Sequence, residues 1–587
     1  MTHADVSNAA IAKALHEMAL FLEMQEVPFK PRAYEKAAQL IAGYDRPLAE
    51  LYAAGGVAAL DALPSVGKGI AARIAGMLDS GELADLEQLR RATPIDVTAL
   101  TAVGGIGPKR AQALWEALGV GTVEELEQAA AEGRIRELPG FGERSEAKIL
   151  EAVRLYQESV GRRPLAAVLE LAERIEATLA KVAGVEQVAV AGSIRRRRET
   201  VGDVDVLVAA KPRAGARASQ AFERMPGVAR VLASGPSKTM VSLDNGLDAD
   251  LRVVEPKSFG AALLYFTGSK AHNIALRRIA MANGYKLNEY GLFEGERTIA
   301  GRSEAQIYEA LGLVWIPPEL REDQGEIEAA AAGQLPRLIE ADDVRGDLHT
   351  HTNWSDGRLS IRELAEAARA RGLEYIAITD HTRSLTIASG LDPERLRAQM
   401  AEIRRVDAAL EGISLLCGAE VDILADGTLD LPDDLLAELD LVSVAVHAHF
   451  DQPRAAMTKR LIRAIEHPAV TMLCHPTARA LGRRPPIDAD FDAVIEACVR
   501  SRTILEIDSQ PHRLDLPDAL VKRAIEAGAR VAIDSDAHTA EELGYLASYG
   551  IGVARRGWAT ASDVINAQPR DRALAELRRI RKHKEST

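Results

Sequence analysis

Cysteine is scarce, with three in 587 residues. Cys417, Cys474 and Cys498 are too few and too scattered for a disulfide framework or a cysteine-rich zinc site, so a reducing compartment is expected. No run of about 18 apolar residues occurs, which excludes an ordinary membrane-spanning helix. The start, Met1-Thr-His-Ala-Asp5, lacks a basic region followed by an apolar core, so secretion is not expected. A basic excess is missing as well: 72 Lys and Arg stand against 86 Asp and Glu, a net charge of −14, which splits into −8 for residues 1–343 and −6 for residues 344–587. That balance argues against bulk capture of a polyanion, although local Lys/Arg clusters or backbone amides can still meet phosphates. What is present is ordinary for soluble globular chains, 47% apolar and 27% charged residues. The length is several times the usual domain of about 100 to 200 residues, so three or more folding units are expected.

Residues 1 to about 155 read as helices broken by Gly-rich turns, with apolar residues at three- and four-residue spacing in Ile11 to Met24 and Ala37 to Ile41. From about residue 185 the period changes to short β-branched runs, as in Val185 to Ala191, Val204 to Val208 and Leu251 to Val254. Pro317, Pro318, the acidic run Glu322 to Glu328 and an Ala tract place a boundary at 317–343, read as a short helix within a tether. Beyond 346, the apolar runs Tyr375 to Ile378, Leu441 to Val446, Thr503 to Ile507 and Arg530 to Ile533 alternate with amphipathic helical stretches. That alternation predicts an α/β unit, with a barrel as one form of it.

One pattern occurs three times in the first half: Leu63-Pro-Ser-Val-Gly67-Lys68-Gly69-Ile70, Val103-Gly-Gly105-Ile-Gly107-Pro-Lys109-Arg110, and Leu138-Pro-Gly-Phe-Gly142-Glu-Arg144. Each copy puts small residues just before a helix N-terminus, where unpaired amides and the positive end of the dipole can receive a phosphate. A single copy would read as a tight helix–helix turn; three copies in so short a span, two with Lys or Arg directly after the turn, favour the phosphate reading. The pattern resembles the helix-hairpin-helix module, a sequence-independent binder of the DNA backbone. Glu143 makes the third copy the weakest.

The densest polar segment is Gly192-Ser193-Ile-Arg195-Arg196-Arg197-Arg198-Glu-Thr-Val-Gly202-Asp203-Val-Asp205. In a strand Asp203 and Asp205 project from one face, and the apolar run Leu247 to Arg252 offers a third carboxylate, Asp250. Asp is normally depleted from strands, so three of them suit a two-metal site better than a solvated edge. Gly-Ser-x-Arg-Arg followed by Asp-Val-Asp resembles the nucleotidyltransferase signature of the family X DNA polymerases, and the downstream order agrees. The resemblance implies two magnesium or manganese ions on Asp203, Asp205 and Asp250. It also implies nucleotide contacts at Ser193, Arg196, Gly202, Tyr265, Phe266, Gly268, Lys270 and Asn273, with Arg277 reaching the template and Asn288 to Phe293 in a thumb. DNA contacts are expected at Tyr34, Lys36, Gly67, Lys68, Gly69, Gly105, Gly107 and Lys109. In lyase-competent members a Schiff-base Lys occupies the position of Arg73, which stays protonated, so deoxyribose-phosphate lyase activity is not expected.

Nine metal-ligand side chains lie at or near the ends of apolar runs in the second half: His349, His351, Asp356, His381, Glu420, His447, His475, Asp536 and His538. They include six of the 13 histidines. His349/His351 and Asp536/His538 are i, i+2 pairs, one face of a strand each, and barrel strands aim such ends at one mouth. With no Cys among them, nitrogen and oxygen ligands favour zinc, manganese or iron. Asp347-Leu-His-Thr-His, Ile-Thr-Asp380-His381, His475-Pro and Ser535-Asp-Ala-His538 resemble the polymerase and histidinol phosphatase (PHP) domain, a distorted seven-stranded (β/α) barrel that hydrolyses phosphoesters at up to three metal ions. His449, His512, Asp380 and Asp508 read as supporting or bystander groups, and Arg479 and Arg483 as phosphate contacts by position.

The order of these parts resembles the bacterial family X DNA polymerases. It implies an all-α helix-hairpin-helix domain (1–85), a fingers-like helical domain (86–155), an α+β palm (156–257), a thumb (258–318), a linker (319–343) and a C-terminal (β/α)7 PHP barrel (344–587). The implied activity is gap filling with deoxynucleoside triphosphates on gapped or primed DNA, with 3′-end trimming by the PHP domain, in a cytoplasmic, nucleoid-associated monomer. Two other readings stay open: a histidinol-phosphate-type phosphatase using only the second half, and a non-catalytic DNA-end scaffold.

Overall fold

The computed structural model describes residues 6–42, 44, 46–159 and 161–585. The chain divides into two compact units, residues 1–160 with 482–485, and residues 161–481 with 486–587. The first is all helical. Its core is the apolar stripe of successive short helices, with Ile11, Leu15, Phe21, Ile41, Leu60, Ile74, Leu78, Leu100 and Leu114 fully buried. Caps delimit the elements: the Ser7 hydroxyl accepts from the Ala10 amide ahead of helix Asn8–Met24, and Thr122 with Glu125 forms a capping box on helix Val123–Ala131.

The second unit opens on a five-stranded sheet of order β1-β2-β5-β4-β3, formed by Val185–Val190, Asp203–Ala210, Asp248–Val254, Lys238–Leu243 and Val228–Ser234 respectively. β2 and β5 are parallel; the other neighbours are antiparallel. Val204, Val206 and Val208 of β2 pack with Val168, Ile175 and Phe222 of helices Ala166–Ala180 and Pro212–Glu223. Leu207 and Ala209 face the other way, onto Phe259 and Ala262 of helix Phe259–Thr267. Period-two alternation therefore puts Asp203 and Asp205 on that second face, at its open end. A three-stranded antiparallel sheet follows, β6 (Lys286–Asn288), β7 (Gly291–Glu294) and β8 (Arg297–Ala300), beside helix Lys270–Ala282.

The stretch expected to be a tether is packed. Arg321 and Glu326 are fully buried, Arg321 against Glu304 (2.6 Å) and Glu326 against His272 (2.6 Å). Composition shows acidic residues and small residues there but not the buried partners, Glu304 and His272, that hold Arg321 and Glu326 in place.

Seven parallel strands complete the unit in sequence order: β9 (Gly346–Thr350), β10 (Tyr375–Ile378), β11 (Ser414–Asp422), β12 (Leu441–Ala445), β13 (Met472–Leu473), β14 (Ile504–Asp508) and β15 (Val531–Asp534). The His351 amide donates to the Ala537 carbonyl (2.9 Å) and Thr350 bridges Ala537 in parallel, which brings the sheet round on itself as a nearly closed barrel. Leu348, Ala377, Leu416, Met472, Ile504 and Ala532 pack on Ala573, Leu577 and Ile580 of helix Arg570–Glu585, which fills one end. No helix among the described residues is long and apolar enough to cross a membrane.

Candidate active sites

The three repeats share one backbone turn. The amides of Val66, Ile106 and Phe141 donate to the carbonyls of Leu63, Val103 and Leu138 at 3.2, 3.0 and 3.0 Å. Ser65, Gly105 and Gly140 hold the left-handed conformation, with φ of +61°, +83° and +82°, two residues before Gly67, Gly107 and Gly142. Gly67 and Gly107 cap helices Lys68–Ser80 and Pro108–Leu118 without a side-chain acceptor, next to exposed Lys68 and Lys109. In the third copy the Gly142 amide donates to the Ser145 hydroxyl (3.1 Å), so that hairpin satisfies part of its own amide set. Tyr34 corrects the expectation of DNA contact: it is buried in the helical core, under the Arg73 guanidinium, because it lies on the apolar face of its helix. Lys36 is exposed.

In the palm, β2 and β5 run in a register that sets Asp203 opposite Asp248 and Asp205 opposite Asp250. Asp205 presses on Gly192, where a Cβ would lie 2.5 Å from its Oδ2, so only glycine fits at this turn of φ +60°. Burial, then the neighbouring Asp203 and Asp250, pushes Asp205 up to about 7; burial and Asp250 raise Asp203 as well. Asp250 Oδ2 lies 3.2 Å from Lys238 Nζ and 3.8 Å from Arg252, whereas its Oδ1 is buried without a hydrogen-bond partner. Converging carboxylates whose ionisation is opposed, one with an orphaned oxygen, fit divalent cations.

Ser193 lies half-buried in the turn Gly192–Arg195. Arg196 Nε donates to Glu322 Oε1 (3.0 Å) and Nη1 to the Thr267 carbonyl, and a Cβ on Gly268 would lie 3.0 Å from that Nη1. Tyr265 and Phe266 pack edge to face at 5.1 Å, with Arg277 over the first ring and Arg252 over the second. Asn273 donates to the Tyr265 carbonyl (2.7 Å), and Lys270 is exposed at the start of the helix that Ser269 caps. Gly202 immediately precedes β2.

The nine ligand candidates of the barrel meet around Glu420. Its oxygens lie 3.4 Å from His349, 3.7 Å from His351, 2.8 Å from His381, 3.2 Å from His447 and 2.7 Å from His475. Asp536 lies 3.0 Å from His351 and 3.6 Å from His349, while Asp356 joins His538 (3.4 Å) and His381 (3.7 Å). His351/Asp356/His381/His538, His349/His351/Asp536 and His381/Glu420/His447 each gather their donor atoms within 4.8 Å. His349 Nε2, both His351 nitrogens, His447 Nε2, His475 Nδ1 and Glu420 Oε2 are buried without hydrogen-bond partners, a donor set that fits metal ions. Burial would hold His447 neutral, but Glu420 and Asp422 outweigh it and bring it to about 9; His351, buried beside His538 and His381, falls to about 3.

Further polar residues support the candidates. Glu506 takes His349 Nδ1 (2.6 Å) and Asp422 takes His447 Nδ1 (3.0 Å), which leaves each Nε2 free toward the centre. Glu506 is an acidic residue inside an apolar strand, the same signal that marked Asp203. Arg513 lies 4.0 Å from Asp536, and Lys238 reaches Asp250 from the neighbouring strand. Arg479 is corrected as a phosphate contact: it is buried and spent on Glu199 (2.7 Å) and on the carbonyls of Arg513 and Leu514. Arg483 falls in the segment grouped with the helical unit. Asp380 organises the loop after β9 by accepting from Thr352, Ser355 and Gln399.

Known families match in the same order as these structural parts: a helix-hairpin-helix domain (residues 6–83), a SAM-like helix-hairpin-helix tandem (97–155), DNA polymerase beta palm (162–260), DNA polymerase beta thumb (262–322) and a PHP domain (347–482). A DNA polymerase/3′-5′ exonuclease PolX of Bacillus subtilis is 38% identical over 574 residues, 97% of this chain and 99% of its own. Probable phosphatases of Thermoanaerobacter sp. and Syntrophotalea carbinolica are 30% and 29% identical but cover 34% and 35% of this chain, against 80% and 83% of their own lengths.

Proposed function

The chain belongs to the bacterial family X DNA polymerases that carry a PHP domain, and from that membership we propose that it fills short gaps in damaged DNA and trims 3′ ends. It is a DNA-directed DNA polymerase with 3′-5′ exonuclease activity, dependent on divalent metal. The observation that supports the reading is completeness: the palm carboxylates Asp203, Asp205 and Asp250 lie on paired strands and the nine His, Asp and Glu candidates of the barrel lie together, in a chain whose PolX relative aligns along 97% of it.

Two magnesium or manganese ions on Asp203, Asp205 and Asp250 would supply charge neutralisation and hydroxyl activation, and up to three zinc, manganese or iron ions on the nine barrel ligands would supply the same for hydrolysis. Asp250, whose Oδ1 is buried without a hydrogen-bond partner, would accept the primer 3′-hydroxyl proton. Ser193 and Arg196 hold the triphosphate, Gly202 lets the strand entry close, and Gly268 lets backbone pack on the sugar. The Tyr265–Phe266 pair excludes a ribose 2′-OH, Lys270 and Asn273 line the nucleotide, and Arg277 reaches the template. The first two hairpins, through Gly67, Lys68, Gly69, Gly105, Gly107 and Lys109, track the DNA backbone, with Lys36 near the 5′-phosphate. A monomer at the nucleoid of the cytoplasm suits this work.

A phosphatase of the histidinol-phosphate kind would leave the palm unexplained, and its relatives align with the barrel portion alone. Primer extension on gapped DNA, 3′-end digestion and histidinol phosphate hydrolysis, measured side by side, test the reading. Extension and digestion with little phosphate release are expected; hydrolysis of the small ester without extension would overturn it, and none of the three would leave a scaffold.

A further inference from the structure

The four-arginine run beside the palm carboxylates is where the PHP domain grips the polymerase. Glu322, at the end of the thumb, directs one carboxylate oxygen at three cations: Arg196 Nε at 3.0 Å, Arg556 Nη1 at 3.0 Å and Arg198 Nη1 at 3.9 Å. Arg556 ends helix Ile551–Arg556 of the PHP domain and is almost wholly buried. Its Nη1 also donates to the Arg196 carbonyl (2.9 Å), and its Nη2 lies 2.5 Å from Asp518. The contact is close along its length: a Cβ on Gly552 would lie 3.0 Å from Arg197 Cβ, and Arg479 reaches Glu199 at 2.7 Å.

Arg196 is therefore held on two sides, by Glu322 through Nε and by the Thr267 carbonyl through Nη1, and Nη2 makes no hydrogen bond among the described residues. A planar guanidinium fixed in that way presents a defined edge to an anion. Glu322 is the difficulty. A carboxylate this close opposes the arrival of a triphosphate and competes with it for Arg196 unless a second cation holds its charge. Arg556 is that cation, and it comes from the nuclease domain.

We propose that Arg556 is a positioning residue for nucleotide addition: it neutralises Glu322, so that Arg196 keeps its free edge for the incoming triphosphate. Polymerase affinity for nucleotide then depends on a PHP-domain side chain that touches neither substrate nor metal ligand. This rests on the reading above that Arg196 holds the triphosphate.

The test uses the full chain on gapped DNA with a dideoxy-terminated primer, so that binding of the correct deoxynucleoside triphosphate is read without chemistry, together with kcat and KM on an extendable primer. Arg556→Met is expected to weaken nucleotide binding about tenfold and raise KM alike, with kcat within about threefold, as for loss of one charged partner in a partly buried pair. Digestion of 3′ ends by the same preparation is expected to be unchanged. Adding Glu322→Gln to Arg556→Met removes the uncompensated charge and is expected to restore affinity to within about threefold. Arg556→Lys, which keeps the charge, is expected to stay within about threefold, and it carries the test should the Met variant not fold. Arg196→Ala is the control. If Arg196→Ala weakens binding but Arg556→Met does not, or if Glu322→Gln fails to rescue, or if the Lys variant falls as far as Met is expected to, the role of Arg556 is refuted. If Arg196→Ala leaves affinity intact, the triphosphate assignment fails first and the proposal falls with it.

Discussion

Proton release on metal binding tests the palm site at its least ordinary group. Asp205 is pushed up to about 7 by burial first and then by Asp203 and Asp250, so without metal it holds a proton through most of the acid range. A divalent ion binds the ionised form and must expel that proton. With a midpoint near 7, Asp205 is roughly 90% protonated at about pH 6 and roughly 10% at about pH 8, so the palm should release about 0.9 proton at the lower pH and about 0.1 at the higher. Below about pH 7 the apparent affinity should fall about tenfold per unit, since each unit of acid multiplies the proton competing for the site. Asp203 is shifted the same way and adds to the release at acid pH.

The measurement is calorimetric titration with magnesium in buffers of different ionisation enthalpy. The Asp203→Ala/Asp205→Ala variant keeps the barrel ligands, so subtracting its proton count removes their contribution. A difference that stays near zero at pH 6, or that does not change between pH 6 and pH 8, would show that Asp205 is already ionised in the metal-free protein. Burial and the neighbouring carboxylates would then not oppose ionisation of Asp205.

The same Asp203→Ala/Asp205→Ala variant should lose nucleotide addition by at least about a thousandfold while 3′ digestion persists; undiminished extension would remove the palm from the mechanism. His349→Ala with His351→Ala should do the reverse, and elemental analysis should show barrel metal lost from it; retained digestion would place the nuclease elsewhere. Arg73→Lys should not create a lyase. Arg73 sits 2.6 Å from Asp85, an anion that favours the charged form of a Lys placed there, so little of its amine would be neutral near neutral pH. Abundant borohydride-trapped adduct from that variant would contradict this.

How much was legible in the chain follows from how far apart the interacting residues lie. Asp203 and Asp205 share a strand face because the period of a strand is two, and the three hairpins announce themselves because each turn is built from consecutive residues. The His, Asp and Glu candidates of the barrel come together for a related reason. They sit at strand ends, and the parallel topology brings all such ends to one mouth. The left-handed Ser65 shows the same local logic with a different residue, since the first hairpin makes its turn without the glycine that the other two use.

Partners that depend on long-range packing left no such trace. Arg195 forks onto Glu304 at 2.7 and 2.8 Å across 109 residues, and Arg321, wholly buried, takes the same carboxylate at 2.6 Å. Each of these residues, read alone, is a charged side chain in a polar stretch, and charged side chains are usually solvated. Burial drives the Glu304 carboxyl toward the neutral form, yet Arg321 and Arg195 hold it far below the ordinary carboxylate range, so the pairing and not the local sequence decides its state. The four arginines from 195 to 198 illustrate the consequence. Their density reads as one phosphate-binding patch, but Arg195 is committed to Glu304 of the thumb and Arg196 is shared between Glu322 and the Thr267 carbonyl. Arg197 lies against Gly552 of helix Ile551–Arg556. The run is only partly compensated: Arg195 meets Glu304, Arg196 and Arg198 share Glu322, and the Thr267 carbonyl takes Arg196, all from segments more than 70 residues away in sequence, whereas Arg197 Nη1 is buried without a hydrogen-bond partner.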